Sequence, residues 1–324
     1  MVWDVACLGD LVIDMVPQQL ADGHWLYAPH PGGAPGNVAV GLARLGARAI
    51  MLAKLGDEAF GRMIASALQS HGVDPSGLSF VAGHNTRLSV VTLDPGGERE
   101  FIFYGDDPAD LQVAADDIDP KVIEGSSILH LGGLLLAGPI SAMAQAKAIA
   151  LARGAGRLIS ADPNFRPALW TDHAAMQAAG RQLVAAADIV KLSEDELLAL
   201  APGHDSLEAA ARALWHGGLK VMAVTSGARG AHLLTADHRL VHGGFRVDAI
   251  DTTAAGDAFM ASLLRGLLDI RMDLGEKEAL QALLRTCCAA GALAATKKGA
   301  MASLPDSRAI AGMLKTGCEN PVVL

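Results

Sequence analysis

From about residue 126 onward, apolar runs of strand length alternate with stretches of helical periodicity. The strand-like runs are Ser127 to Leu131, Arg157 to Ala161, Ile189 to Leu192 and Lys220 to Thr225. Helical patterns lie between them at about 139–153, 173–187 and 205–216. This alternation is restrictive. A helix-length crossover lets successive strands run parallel, and strands that are apolar throughout need cover on both faces. The same unit occurs earlier, where Val2 to Leu8 and Ala49 to Leu55 read as strands. One helical pattern runs from Val38 and is closed by Gly46; another opens at Gly56-Asp57-Glu58 and runs to Ser70. The expected fold is therefore α/β, a doubly wound, mainly parallel sheet flanked by helices, in a single domain over residues 1–324. Aromatic residues make up only 4% of the chain while glycines number 36, which favours close helix-on-sheet packing over an all-β sandwich.

Two stretches break the rhythm. Residues 17 to 31 carry no clear period and read as irregular, with Trp25 and Tyr27 among polar residues. Leu88 to Leu93 and Glu100 to Tyr104 are short β runs around Pro95-Gly96-Gly97, a hairpin signal. Together they predict a small β lid, from about 11–33 and 84–110, that would close over a ligand and keep water out. Such a lid could also pair two copies into a homodimer. Another hairpin is expected at Leu233-Leu234 and Arg239 to His242, and a long helix from Glu276 to Thr296.

The formal net charge is −9, which argues against nucleic acid as the main partner but not against a small anion held at a local site. None of the four cysteines, Cys7, Cys287, Cys288 and Cys318, has metal-ligand spacing, and reduced structural thiols are expected. No secretion signal and no apolar run of membrane-spanning length is seen, so a cytoplasmic protein without a membrane partner is expected.

The chemistry gathers at Asp251-Thr-Thr-Ala-Ala-Gly-Asp257, which leads into the apolar helical run Phe259 to Leu268. Small residues at a helix start leave backbone N–H groups facing outward, with a partial positive charge that suits an anion. Asp257 in the same turn adds a carboxylate. A base beside an anion hole is what phosphoryl transfer to an alcohol requires. Taken singly, the turn also fits an ordinary capped helix, and the other motifs are similarly open. Asp14 follows the first strand, where open α/β sheets bind ligands, and its carboxylate could grip sugar hydroxyls. Pro31-Gly32-Gly33-Ala34-Pro35-Gly36-Asn37 is a Gly-rich loop at a helix start but not a Walker A loop, and Asn37 can both donate to and accept from vicinal hydroxyls. Arg166, in Asp162-Pro-Asn-Phe-Arg166, could take phosphate or substrate oxygens, or a surface carboxylate. Glu194 after Lys191 could hold a water on Mg²⁺, or simply favour a helix dipole. Thr225-Ser-Gly227-Ala-Arg-Gly230 could receive nucleotide phosphates, and Lys297-Lys298-Gly299 to Pro305 could wrap a base and turn carbonyls to a cation.

Jointly these residues resemble the ribokinase-like sugar kinases, the PfkB carbohydrate kinase family. Pro31 to Asn37 with Ala43-Arg-Leu-Gly46 looks like the family's N-terminal signature, and Asp251 to Asp257 like its C-terminal one. Gly56-Asp57, Asp162 to Arg166, Thr225 to Gly230 and Lys298-Gly-Ala300 also match, in family order over nearly the whole chain. The resemblance implies transfer of phosphate from ATP to a sugar hydroxymethyl group. Asp257 takes the catalytic-base position, and Ala254, Ala255 and Gly256 take the anion hole. Asp14, Gly32, Gly33, Asn37 and Arg166, with Asp257, take sugar-binding positions. Lys191, Thr225, Gly227, Gly230 and Gly256 take ATP-binding ones. Mg²⁺ would come with ATP and be held through water by Glu194. A monovalent cation, K⁺, would be held by Asp251, Thr253 and the backbone around Gly299 and Ser303.

The chain departs from the family pattern at two places. Lys191 stands where the family's Asn-x-x-Glu has Asn, and Ala254 stands where Gly is commoner; a helix start does not require positive φ there. The Gly-Gly-Ala-Pro-x-Asn run and Gly97-Glu-Arg-Glu-Phe101 look most like fructokinases, so fructose is the expected sugar. Gly105, where fructokinases often carry Arg, keeps aminoimidazole riboside, ribose and 2-keto-3-deoxygluconate open, as well as a catalytically silent sugar-binding regulator.

Overall fold

A computed structural model describes residues 1–20, 22–93, 99–170, 172–204 and 206–322. In chain order the strands are β1 (Trp3–Leu8), β2 (Val12–Gln19), β3 (Trp25–Gly32), β4 (Ala49–Gly56), β5 (Leu78–Val81), β6 (Arg87–Leu93), β7 (Arg99–Tyr104), β8 (Ser126–Gly132), β9 (Leu158–Asp162), β10 (Ile189–Ser193), β11 (Val221–Thr225), β12 (Ala231–Leu234) and β13 (Arg239–His242). The α-helices are α1 (Ala34–Arg44), α2 (Ala59–Ser70), α3 (Pro120–Glu124), α4 (Pro139–Gly154), α5 (His173–Ala185), α6 (Glu194–Leu200), α7 (Leu207–Leu214), α8 (Ala255–Asp269), α9 (Lys277–Ala295) and α10 (Ser307–Thr316).

The main sheet has the order β13-β12-β11-β10-β9-β8-β1-β4-β5. Neighbours from β5 to β11 run parallel, and β12 and β13 join antiparallel at one edge. Strand β1 shows why its second half, Val5 to Leu8, is apolar throughout. Val5 and Cys7 pack in one core with Val38 of α1, Leu263 of α8 and Leu284 of α9. Ala6 and Leu8 point the other way, into a core with Ala148 of α4, Leu183 of α5 and Leu197 of α6. Period-two geometry sends alternate side chains to opposite faces, and both faces are dry. The expected doubly wound, mainly parallel sheet is thus present. The cysteines are free, with Cys7, Cys287 and Cys288 buried and Cys318 exposed. No helix among the described residues is long and apolar enough to cross a membrane.

A second sheet, β3-β2-β6-β7, lies at the residues expected to form the lid. It corrects one expectation. Residues 17–31 are not irregular: β2 and β3 pair antiparallel from Val12↔Gly32 to Gln19↔Trp25. The prolines that hid this pattern sit where a strand tolerates them. Pro29 and Pro31 are on an edge strand, and Pro17 lies beyond the β2–β6 register, which covers Val12 to Met15. The Pro95-Gly96-Gly97 turn lies outside the described residues, but its flanks pair as a hairpin from Leu88↔Tyr104 to Leu93↔Arg99.

The second sheet is fastened at its root. Arg87, at the start of β6, makes a two-pronged bond to Asp110, Nε to Oδ2 at 3.0 Å and Nη2 to Oδ1 at 3.2 Å, with both side chains buried. Beside it the Gly56 N–H donates to Thr86 Oγ1 at 3.2 Å, and Glu58, the cap of α2, accepts from the Thr86 N–H.

Candidate active site

Where the second sheet meets the carboxyl ends of β1, β8 and β9, a cavity opens. Asp10, Asp14, Gly33, Asn37, Ser89, Phe103, Asn164, Arg166, Thr253 and Asp257 are among its lining residues. Gly33 makes the loop before α1 possible. Its φ is 103°, and a Cβ there would lie 2.4 Å from the Asp10 carbonyl oxygen. With the loop folded in this way, α1 starts at Ala34 and aims buried Asn37 at the cavity floor. Asn37 Nδ2 donates to Asp257 Oδ2 at 2.7 Å. Asn37 Oδ1 and Ser89 Oγ are buried without a hydrogen-bond partner among the described residues. Such unspent polar atoms lining a cavity suit a ligand rich in hydroxyls. Asp14 is the β2 partner of Ser89 on β6, which brings the two together across the sheet. Gly32 does not line the cavity but backs Asp14, whose Oδ2 would lie 2.4 Å from a Cβ at that position. Arg166 is steered by its own loop, with Nη1 donating to Asn164 Oδ1 at 2.6 Å.

Asp257 occupies the first turn of α8, so the helix holds it more firmly than the preceding turn would. It is 5% exposed, and its pKa is pushed up to about 7. Burial is the main cause; the Asn37 hydrogen bond works against it, the Asp162 charge adds to it, and Lys191 and Arg166 oppose it. Ala254 precedes the helix with φ −104°, an ordinary value for alanine. The Ala255 N–H turns back to the Thr252 carbonyl at 3.1 Å, and the Ala258 N–H begins the helical ladder on Ala254. The N–H groups of Gly256 and Asp257 belong to the open first turn, which has no carbonyl partners within the helix.

A second cavity lies on the other side of this helix start. Lys191, Glu194, Thr225, Gly227, Gly230, Gly256, Gly291 and Asn320 are among its lining residues. Asn164, Thr253 and Asp257 line both cavities, so the two meet at Asp257. Gly230, with φ 91°, closes the turn after β11, and a Cβ there would lie 1.9 Å from the His242 carbonyl oxygen. Lys191 is buried with its Nζ 3.0 Å from Asp162 Oδ2 and 2.9 Å from where a Cβ on Gly256 would stand. Burial favours the neutral amine, but Asp162, Glu196 and Asp257 outweigh it and raise the Lys191 pKa, so the ammonium persists. Asp162 itself is pushed up to about 6, mainly by burial. Glu194 bonds Arg229 at the mouth of the cavity.

Among the described residues, no cluster of three or more His, Cys, Asp or Glu side chains is arranged to hold a metal. Asp251 accepts from the Thr253 N–H at 2.9 Å and from the Gly299 N–H at 3.0 Å, drawing the 299–303 segment to the start of α8. Ser303 Oγ donates to the Ala300 carbonyl at 2.9 Å. Neither Gly299 nor Ser303 lines the two cavities.

Asp10 is a site residue to which the sequence reading gives no role. It is buried in the first cavity, its pKa pushed up to about 6 mainly by burial and then by the Asp110 charge. Its place at the carboxyl end of β1 was the available signal. Ser89 and Phe103 were missed because their approach depends on the β2–β6 and β6–β7 registers.

The model of the family described as pfkB family carbohydrate kinase matches residues 4–307. A probable fructokinase-4 of Arabidopsis thaliana is 38% identical over 315 residues, covering 96% of each chain. The crystal structure of fructokinase from Vibrio cholerae O395 in a fructose, ADP and calcium ion bound form aligns with TM-score 0.87 at 36% identity, covering 97% of this chain and 99% of that one. A putative ribokinase II from E. coli, in complex with ATP and Mg²⁺, aligns with TM-score 0.85 at 27% identity over 97% of this chain and 99% of that one.

Proposed function

The chain belongs to the pfkB family of carbohydrate kinases, and from that premise we propose that it transfers the γ-phosphate of ATP to a hydroxyl of fructose, with Asp257 as general base. One observation carries this reading: Asp257 lies where the two cavities meet. Fructose takes the first cavity, the one with Asp14, Ser89 and the unspent Asn37 Oδ1. ATP takes the second, its phosphates against the turn from Thr225 to Gly230.

The buried Asp257 carboxylate accepts the proton of the sugar hydroxyl as its oxygen attacks the γ-phosphorus and the bond to ADP breaks. A pKa of about 7 keeps Asp257 substantially ionised at neutral pH yet basic enough to take a proton. Negative charge on the transferring group is met by N–H groups at the start of α8 and by the Lys191 ammonium beside Gly256. Lys191 thus gives a fixed charge where much of the family has an amide. The donors here also suit cations. Mg²⁺ would come with the nucleotide phosphates, offset their charge and keep much of its water shell; Glu194 at the cavity mouth would hold one of those waters. Asp251, Thr253 and the backbone of the Gly299–Ser303 segment would supply oxygen donors for K⁺ near the helix start.

The sugar is assigned from the fructokinase relatives and the fructose reported in the Vibrio cholerae structure. The test is ADP release from Mg·ATP with fructose, ribose, 2-keto-3-deoxygluconate and aminoimidazole riboside. Fructose is expected to give the highest kcat/KM. A higher value with another sugar would overturn the substrate assignment and keep the reaction, whereas sugar binding without turnover would favour a silent regulator.

A further inference from the structure

After α10 the chain returns to the rim of the second cavity. The Arg246 N–H donates to the Cys318 carbonyl at 2.8 Å, and the Asn320 N–H donates to the Gly244 carbonyl at 3.0 Å. Phe245 and Glu319 form the β-bridge between these contacts. The Asn320 side chain spans a gap: its Nδ2 donates to the Ala228 carbonyl at 2.9 Å, and its Oδ1 accepts from Arg246 Nε at 3.1 Å. Ala228 belongs to the turn after β11 and Arg246 to the segment after β13, and both line the cavity, as does Asn320. Next to Asn320, Glu319 accepts from Arg285 Nε of α9 at 2.6 Å. One short segment therefore ties together three parts of the chain that border this cavity.

We propose that residues 317–322 act as a strap that fixes the width of the nucleotide cleft, with Asn320 as its positioning residue. The proposal rests on the second cavity being the nucleoside triphosphate site. An amide is suited to the role, since it donates to one loop and accepts from the other at once, which neither a carboxylate nor a hydrocarbon can do. Without it the turn after β11 and the segment after β13 lose the side chain that joins them directly. The cleft then has to be ordered when ATP binds, and affinity falls by the cost of ordering it.

The test is steady-state kinetics and ADP binding for the wild type, Asn320→Ala and Asn320→Asp, with melting curves for all three. Asn320→Ala removes both side-chain hydrogen bonds and should raise the KM for ATP and the Kd for ADP about tenfold, a net cost of about 1.4 kcal/mol. Its kcat and its KM for fructose should stay within about twofold, because the segment borders only the ATP side. Asn320→Asp is isosteric, keeps the acceptor for Arg246 and loses the donor to Ala228, so it should weaken ATP in the same way even if the alanine variant folds poorly. Wild-type KM for ATP in both variants would overturn the strap, as would a loss shared equally between ATP and fructose. A wild type that turns over ATP while both variants match it counts against the strap alone; a wild type that binds no ADP counts against the nucleotide assignment beneath it.

Discussion

Asp257 is asked to be buried and ionised at once, and both demands can be measured. If it is the base, kcat/KM should fall about tenfold per pH unit below a pKa near 7, since only the ionised carboxylate accepts the proton. An acid limb below pH 5, where an ordinary aspartate titrates, would contradict the assignment. The same burial affects stability. The folded pKa is raised from 3.8 to about 7, so the folded state binds its proton more tightly than the unfolded chain does. This group therefore costs no stability below the unfolded pKa; the cost grows as pH rises between the two values and is complete above about 7. Asn keeps an oxygen for Asn37 Nδ2 and carries no charge, so Asp257→Asn should stabilise the fold at pH 8 by up to about 4 kcal/mol, and hardly at all at pH 4. Urea denaturation at the two pH values would show it; equal stability of variant and wild type at pH 8 would mean the carboxylate is not strained there.

At the level of elements, the second sheet depends on the buried Arg87–Asp110 pair. Removing one partner leaves a buried charge unpaired, so Arg87→Met should cost about 3–5 kcal/mol of stability, read as a shift in the denaturation midpoint. A loss below 1 kcal/mol would show that the root of the sheet is held by other contacts. The elements also show what could be read from the chain. The strands β1, β4, β8, β9, β10 and β11 were legible because both their faces are largely buried, leaving mostly apolar runs. Strands β2 and β3 were not, because half of β3 is exposed and prolines interrupt both. The start of α8 was placed at Phe259, four residues late: the apolar pattern begins there, but the helix itself begins at Ala255. The charge pairing of Lys191 with Asp162 was beyond sequence reasoning, since it joins neighbouring strands whose register the sequence does not state. The motif residues Asp14, Gly33, Asn37 and Asp257 were legible individually, and the fold brings all four to one cavity.

On the scale of the whole molecule, two cavities share a wall at the start of a single helix. Asp251 ties the 299–303 segment to that helix start, so a cation held there would tune the N–H groups proposed to receive the phosphoryl charge. Turnover should therefore be several-fold higher in K⁺ than in buffer without monovalent metal cations, with Mg·ATP and fructose saturating. Equal rates would leave Asp251 a purely structural clasp. The most direct test of the central claim is single-turnover phosphoryl transfer by wild type and Asp257→Asn, with fructose and ADP affinities measured on the same proteins. With Asp257 as the base, the variant's rate should be lower by about 10²–10⁴-fold with both affinities nearly unchanged. A variant that transfers phosphate at close to the wild-type rate would contradict it.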